Sequence, residues 1–147
     1  MRISSAIAAV LLLTSWPAGA QGLDATVPAL GKLTTTVGVA AQIQPDCTGA
    51  AIYPPGGVRA PYTLWALTYF GIGALPQNKQ VHVGIKISYP TGAPYLWNSD
   101  STFDAGTESR CIRHTVTRDG EPGEHFVQFF LDRVEIGRLT VRFSRQR

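Results

Sequence analysis

Strict alternation of apolar and polar residues limits the folds open to this chain more than any other property. Val81, Val83, Ile85, Ile87 and Tyr89 alternate with Gln80, His82, Gly84, Lys86 and Ser88. A period of two is the signature of a strand with one face buried and one face wet. Leu33, Thr35, Val37, Val39, Ala41 and Ile43 repeat the rhythm against Thr34, Thr36, Gly38, Ala40 and Gln42. Pro45-Asp46, Pro54-Pro55-Gly56-Gly57, Leu75-Pro76 and Pro90-Thr91-Gly92-Ala93-Pro94 punctuate the runs. Proline cannot donate to a ladder, so each run stops there.

The remaining runs extend the pattern. Tyr62 to Ile72 is apolar on both faces and is bounded by Pro61 and Gly73, which predicts a central strand covered on both sides. Tyr95-Leu96-Trp97 predicts a short strand, and Asn98 to Gly106 a polar loop around Phe103. Ser109 to Arg118, Glu124 to Leu131 and Val134 to Ser144 predict three more strands, the first two separated by a turn at Asp119-Gly120-Glu121-Pro122-Gly123. In the last strand the apolar phase slips between Ile136 and Leu139. One extra residue at Gly137-Arg138 restores the facing and predicts a bulge there. The tip Asp132-Arg133 lacks the glycine that a two-residue turn favours, so a longer loop is expected. Six or seven strands with no helix and frequent turns predict an all-β, antiparallel, immunoglobulin-like β-sandwich of about seven strands.

The run Pro122-Gly123-Glu124-His125-Phe126-Val127, followed by Phe130-Leu131-Asp132, Gly137 and Leu139-Thr140-Val141, resembles the closing hairpin of many bacterial immunoglobulin-like domains. There a Pro-Gly-Glu turn leads into the penultimate strand. The resemblance implies architecture and no activity. Unlike antibody domains, this chain has no cysteine in its penultimate strand.

The N-terminus carries an address. Met1-Arg2 is a short positive start, Ile7 to Leu13 is an apolar core, and Pro17 precedes Ala18-Gly19-Ala20. That layout reads as a cleaved secretory signal over residues 1–20, since the apolar run is well short of the roughly 20 residues of a membrane span. Residues 21–31 then read as a linker and 32–147 as one β-sandwich domain, with no transmembrane segment in the mature chain. The expected location is periplasmic or secreted. Cys47 and Cys111 are the two cysteines, and an oxidising compartment favours a bridge between them. Two free buried thiols are the alternative; without a Cys-x-x-Cys pair a thioredoxin-like role has no support.

Chemistry is sparsely signalled. Thirteen basic residues against ten acidic ones give a formal charge of +3, too weak to argue for nucleic acid. The basic residues gather at Arg133, Arg138, Arg142, Arg145 and Arg147, a pattern common on a solvated strand face. His82, His114 and His125 fall on separate strands without ligand spacing, and the single methionine, Met1, leaves with the signal, so no metal site is assigned and the three histidines read as surface or rim residues. No Gly-x-Ser-x-Gly elbow is present, and Ser99, Ser101 and the pairs Asp100/Asp104 and Glu121/Glu124 read as solvated loop residues. No catalytic residue and no cofactor is expected. The aromatics Tyr53, Tyr62, Trp65, Tyr69, Tyr95 and Trp97 lie in or beside proline- and glycine-rich loops. Tyr62, Tyr95 and Trp97 are the candidate ligand-binding residues, because Tyr and Trp bury much area with few rotors; filling the core is their other reading. Phe126 to Leu131 has aromatics on both faces, which predicts a covering segment, a protein partner or self-association. The expected function is an exported, non-enzymatic domain with a binding or structural role in the cell envelope or outside it. A glycan- or small-ligand-binding module and a metal-binding exported protein are the alternatives.

Overall fold

The computed structural model describes residues 20–51, 58–118 and 122–143. The signal segment before Ala20, Tyr53, the Pro54–Gly57 loop, the Asp119–Glu121 part of the turn, and Arg145 and Arg147 lie outside the described residues. The described residues form nine strands: β1 (Ala20–Gly22), β2 (Asp24–Val27), β3 (Gly31–Ala40), β4 (Tyr62–Phe70), β5 (Lys79–Ser88), β6 (Tyr95–Phe103), β7 (Ser109–Val116), β8 (Gly123–Leu131) and β9 (Val134–Phe143). They make two antiparallel sheets, β1-β9-β8-β5-β6 and β2-β3-β4-β7. The fold is an all-β sandwich, as the alternation predicts, with two more strands than expected.

The alternation sets which face is core. Val81, Val83, Ile85 and Ile87 of β5 are all at most 3% exposed, while His82, Lys86 and Ser88 point the other way. Val127, Phe129 and Leu131 of β8 and Leu139, Val141 and Phe143 of β9 supply the rest of that inner face. Leu33, Val37, Leu64, Ala66 and Phe70 face them from the second sheet. Burial of such side chains contributes roughly 1.5–3 kcal/mol each before conformational entropy is set against it.

Four expectations need correction. Residues 21–31 are no linker. β1 pairs with β9 (Gly22↔Gly137), the Leu23 N–H donates to the Ile136 carbonyl at 3.1 Å, and β2 then pairs with β3 (Asp24↔Thr34). The segment passes from one sheet to the other and closes that flank. Gly22 permits the crossing: a Cβ there would lie 1.5 Å from the Thr35 carbonyl oxygen. Asn98–Phe103 is no loop but the second half of β6, paired along its length with β5. Small and polar residues on both faces (Ser99 and Ser101 inward, Asn98, Asp100 and Thr102 outward) erase the hydrophobic contrast that periodicity needs. The bulge falls one residue earlier than expected. Phe129 faces Gly137 and Phe130 faces Glu135, so Ile136 is the extra residue. The β8–β9 tip is a two-residue turn after all, with Asp132 at φ 46° and Arg133 at φ 68°.

β4 is an interior strand, but its outer face is covered only in part, against the two-sided cover its sequence predicts: Trp65 and Leu67 are half-buried and Tyr69 is 51% exposed. Its outward Trp65 lies over Gly38 of β3. The connection after β3 crosses near this face and is pinned to β7 by the Cys47–Cys111 disulfide. At the other flank β6 and β7, nine and eight residues long, are the outermost strands of their sheets.

Candidate functional site

β5 presents His82, Gly84 and Lys86 on the outer face of the five-stranded sheet. Gly84 pairs with Asn98 of β6 on one side and Phe130 of β8 on the other. A Cβ on Gly84 would stand 3.3 Å from Asn98 Oδ1 and 3.7 Å from Phe130 Cβ. Its absence leaves a shallow groove of about 600 Å³ lined by His82, Lys86, Leu96, Asn98, Phe130 and Arg133. Leu96 on its rim is 62% exposed. A largely apolar hollow with a few convergent polar groups is the usual form of a ligand seat.

One end of the groove is polar and fixed. His82 Nδ1 lies 2.9 Å from Asp100 Oδ1 and Nε2 lies 3.1 Å from Asn98 Oδ1. With oxygen acceptors at both ring nitrogens the imidazolium donates twice. The carboxylate of Asp100 first, then the Asn98 amide, hold the His82 pKa above its usual value. The same residue anchors the hairpin tip. The His82 N–H donates to Asp132 Oδ1 at 2.8 Å, and the Asp132 N–H donates to the His82 carbonyl at 2.8 Å. These bonds hold Asp132 and Arg133 in left-handed backbone conformations that non-glycine residues avoid.

The sequence candidates separate. Tyr62 is 2% exposed in the core, with its ring edge-on to Phe143 at 5.1 Å, so it leaves the candidate set. Tyr95 and Trp97 come together, but around His114 of β7. The Tyr95 hydroxyl lies 3.0 Å from His114 Nε2, within hydrogen-bond distance, and Trp97 stacks on the imidazole at 4.3 Å. The arrangement clasps the two open edge strands. Burial lowers the His114 pKa, in keeping with a neutral ring that accepts. The hollow Trp97 does line, with Ser101, Phe103 and Arg110, is about 170 Å³, smaller than ordinary ligand cavities.

The three histidines are apart, as the strand assignment predicts. His125, however, is no rim residue: it is fully buried between Tyr89 (4.9 Å) and Phe143 (4.2 Å). Among the described residues no group of three or more His, Cys, Asp or Glu side chains could hold a metal ion. The two-faced Phe126–Leu131 run is β8, an interior strand: Phe129 is core, while Phe126 and Phe130 stand half-buried on the outer face. Sequence reasoning missed Gly84, Lys86, Leu96 and Phe130 as a set. The available signal was a glycine inside an otherwise regular strand, which marks close approach of another group.

No protein-family model matches the chain, and no curated protein does. A solved structure of the Pseudomonas fluorescens alkylpurine DNA glycosylase, bound to DNA containing an abasic site analog, is similar over 62% of this chain, with 16% sequence identity and a TM-score of 0.46. The match spans 28% of that protein's length. That neighbour is an enzyme; a likeness this distant carries no activity, reaction or substrate to this chain, and the expectation that the chain is not an enzyme is not carried further. Among the described residues no helix is long and apolar enough to cross a membrane.

Proposed function

We propose that this chain is an exported, immunoglobulin-like domain that binds a ligand on the outer face of its β6-β5-β8 surface. The groove over Gly84 is the observation that carries the reading. It is the place where a mostly apolar hollow, an exposed leucine and a fixed imidazole converge. The tight Asp132-Arg133 turn supports it, since strained backbone concentrates at sites that do work.

The strand order supports the immunoglobulin-like part. β9-β8-β5-β6 and β3-β4-β7 follow the G-F-C-C′ and A-B-E orders of such sandwiches. The disulfide departs from the usual inter-sheet bridge by joining a connecting loop to β7. Export to the periplasm or beyond rests on the signal-like residues 1–20 and on the disulfide, a bond of oxidising compartments.

Substituting Gly84→Leu fills the groove, and the nearest atoms it meets belong to the movable Asn98 side chain. Glycan and peptide arrays probed with the wild-type and Gly84→Leu proteins test the reading. Hits lost in the variant support it; hits indifferent to the substitution, or no hits, refute it.

A further inference from the structure

We propose that the groove over Gly84 seats an extended acidic segment of a partner protein. A central apolar side chain of that segment fills the space above Gly84, and acidic side chains two positions to either side meet Arg133 and Lys86. The proposal rests on reading the groove as a binding site and adds the chemistry of its occupant.

Strand rhythm motivates it. Alternate residues of an extended chain stand on one face about 6.8 Å apart. On β5 that rhythm reads polar, void, cation at His82, Gly84 and Lys86. Arg133 arrives from the hairpin tip beside His82, and all four residues line the groove. The two cations therefore mark opposite ends of an apolar stretch walled by Phe130 and Leu96. Four residues of strand, about 13 Å, separate those ends. An extended peptide with the pattern acid–x–apolar–x–acid has the same spacing.

Charge supports the acidic assignment. Neither Arg133 nor Lys86 has an ion pair among the described residues, where the pairs are His82–Asp100, Arg138–Glu135 and Arg142–Glu124. The two carboxylates at the His82 end are already engaged. Asp100 accepts from the His82 ring and Asp132 accepts from the His82 backbone N–H. With His82 charged, the three cations that line the groove, His82, Lys86 and Arg133, outnumber the two neighbouring carboxylates, Asp100 and Asp132, by one, which favours an anionic partner.

The turn is the independent observation. A two-residue turn with both residues at positive φ is the natural place for Asp-Gly or Asn-Gly. Arg133 sits at φ 68°, where glycine would relieve strain, and its side chain reaches the groove. Folding alone gives no reason for an arginine there.

The test uses fluorescein-labelled Ser-Glu-Ser-Leu-Ser-Glu-Ser, its lysine counterpart, and a scramble that breaks the spacing, titrated by anisotropy at low salt and pH 6 against the processed protein. The acidic peptide is expected to bind, the other two to fail, and Gly84→Leu to cost more than tenfold. Arg133→Gly is expected to weaken binding about fivefold, the upper range for one exposed ion pair, while raising Tm by about 4 °C through relief of the turn. A merely structural Arg133 moves only Tm. Lys86→Gln, a surface change, keeps the test valid should Gly84→Leu misfold. No acidic-peptide binding at about 1 mM, equal binding by Lys86→Gln and Arg133→Gly, preference for an uncharged glycan, or a Gly84-dependent dimer each overturns the proposal. If array hits still vanish in Gly84→Leu, the groove reading survives the loss; if none do, both fall.

Discussion

Replacing both Cys47 and Cys111 by alanine removes a cross-link between residues 64 apart in sequence. In the chain-entropy account, a closed loop of that length limits the unfolded chain by about 14 cal/mol/K, or about 4 kcal/mol at 25 °C. Spread over a domain of about 125 residues, whose unfolding entropy is roughly 0.26 kcal/mol/K, that loss lowers Tm by about 15 °C. Equilibrium urea unfolding of the oxidised protein, of the same protein under reductant, and of the double variant measures it directly. The last two should agree, because both lose the same link. The expected signature is a fall in unfolding free energy with little change in the native circular dichroism, since Cys47 lies in a connecting segment and Cys111 on an outermost strand. A loss below about 1 kcal/mol would refute the reasoning, because the bridge would then not restrict the unfolded chain. Loss of the native spectrum would show instead that the stapled segment is needed for β4 to keep its half-buried outer face.

Three further outcomes follow from other positions. Gly22→Ala places a methyl group inside the space of the Thr35 carbonyl; it should cost about 3 kcal/mol, the range for forced overpacking, and raise hydrogen exchange at the Leu23 amide. Asp100→Asn removes the main cause of the raised His82 pKa, so a proton NMR titration should find the His82 midpoint above about 6.5 in the wild type and lower in the variant. Raised in the fold, His82 adds stability that is complete below about pH 6.5 and is lost as pH rises through its folded midpoint. His114 has the opposite sign: its pKa is lowered by burial, so its contribution is complete above about pH 6.5 and is lost as pH falls toward the folded midpoint. His114→Phe should flatten that acid-side decline in urea midpoints between pH 8 and pH 5.

Much of the sandwich was legible in the residues. Val81–Ile87 and Leu33–Val37 show their buried faces because large apolar side chains alternate with polar ones. β6 stayed hidden beyond Trp97 because it is an edge strand whose inward Ser99 and Ser101 are as polar as its outward neighbours. β1 and β2 stayed hidden because three- and four-residue strands have no period to read. The bulge was foreseen from the phase slip and misplaced by one residue, since Ile136 and Gly137 are both buried and periodicity cannot choose between them. The tight Asp132-Arg133 turn ran against local preference because bonds from His82, fifty residues away in sequence, hold it. The groove was illegible for the same reason. His82, Leu96, Phe130 and Arg133 come from three separate stretches of chain, and only strand register brings them round Gly84.

The two flanks of the sandwich differ in kind. On one side the sheets end in β1 and β2, three and four residues long, continuous through the Gly22–Leu23 crossing. On the other they end in β6 and β7, nine and eight residues long. Lateral growth of either sheet is therefore directional. Two copies meeting by their long borders would consume every extended border both possess, and what they presented outward would be the short, laced one. Short, laced borders offer little template for another strand, so growth at that flank is discouraged.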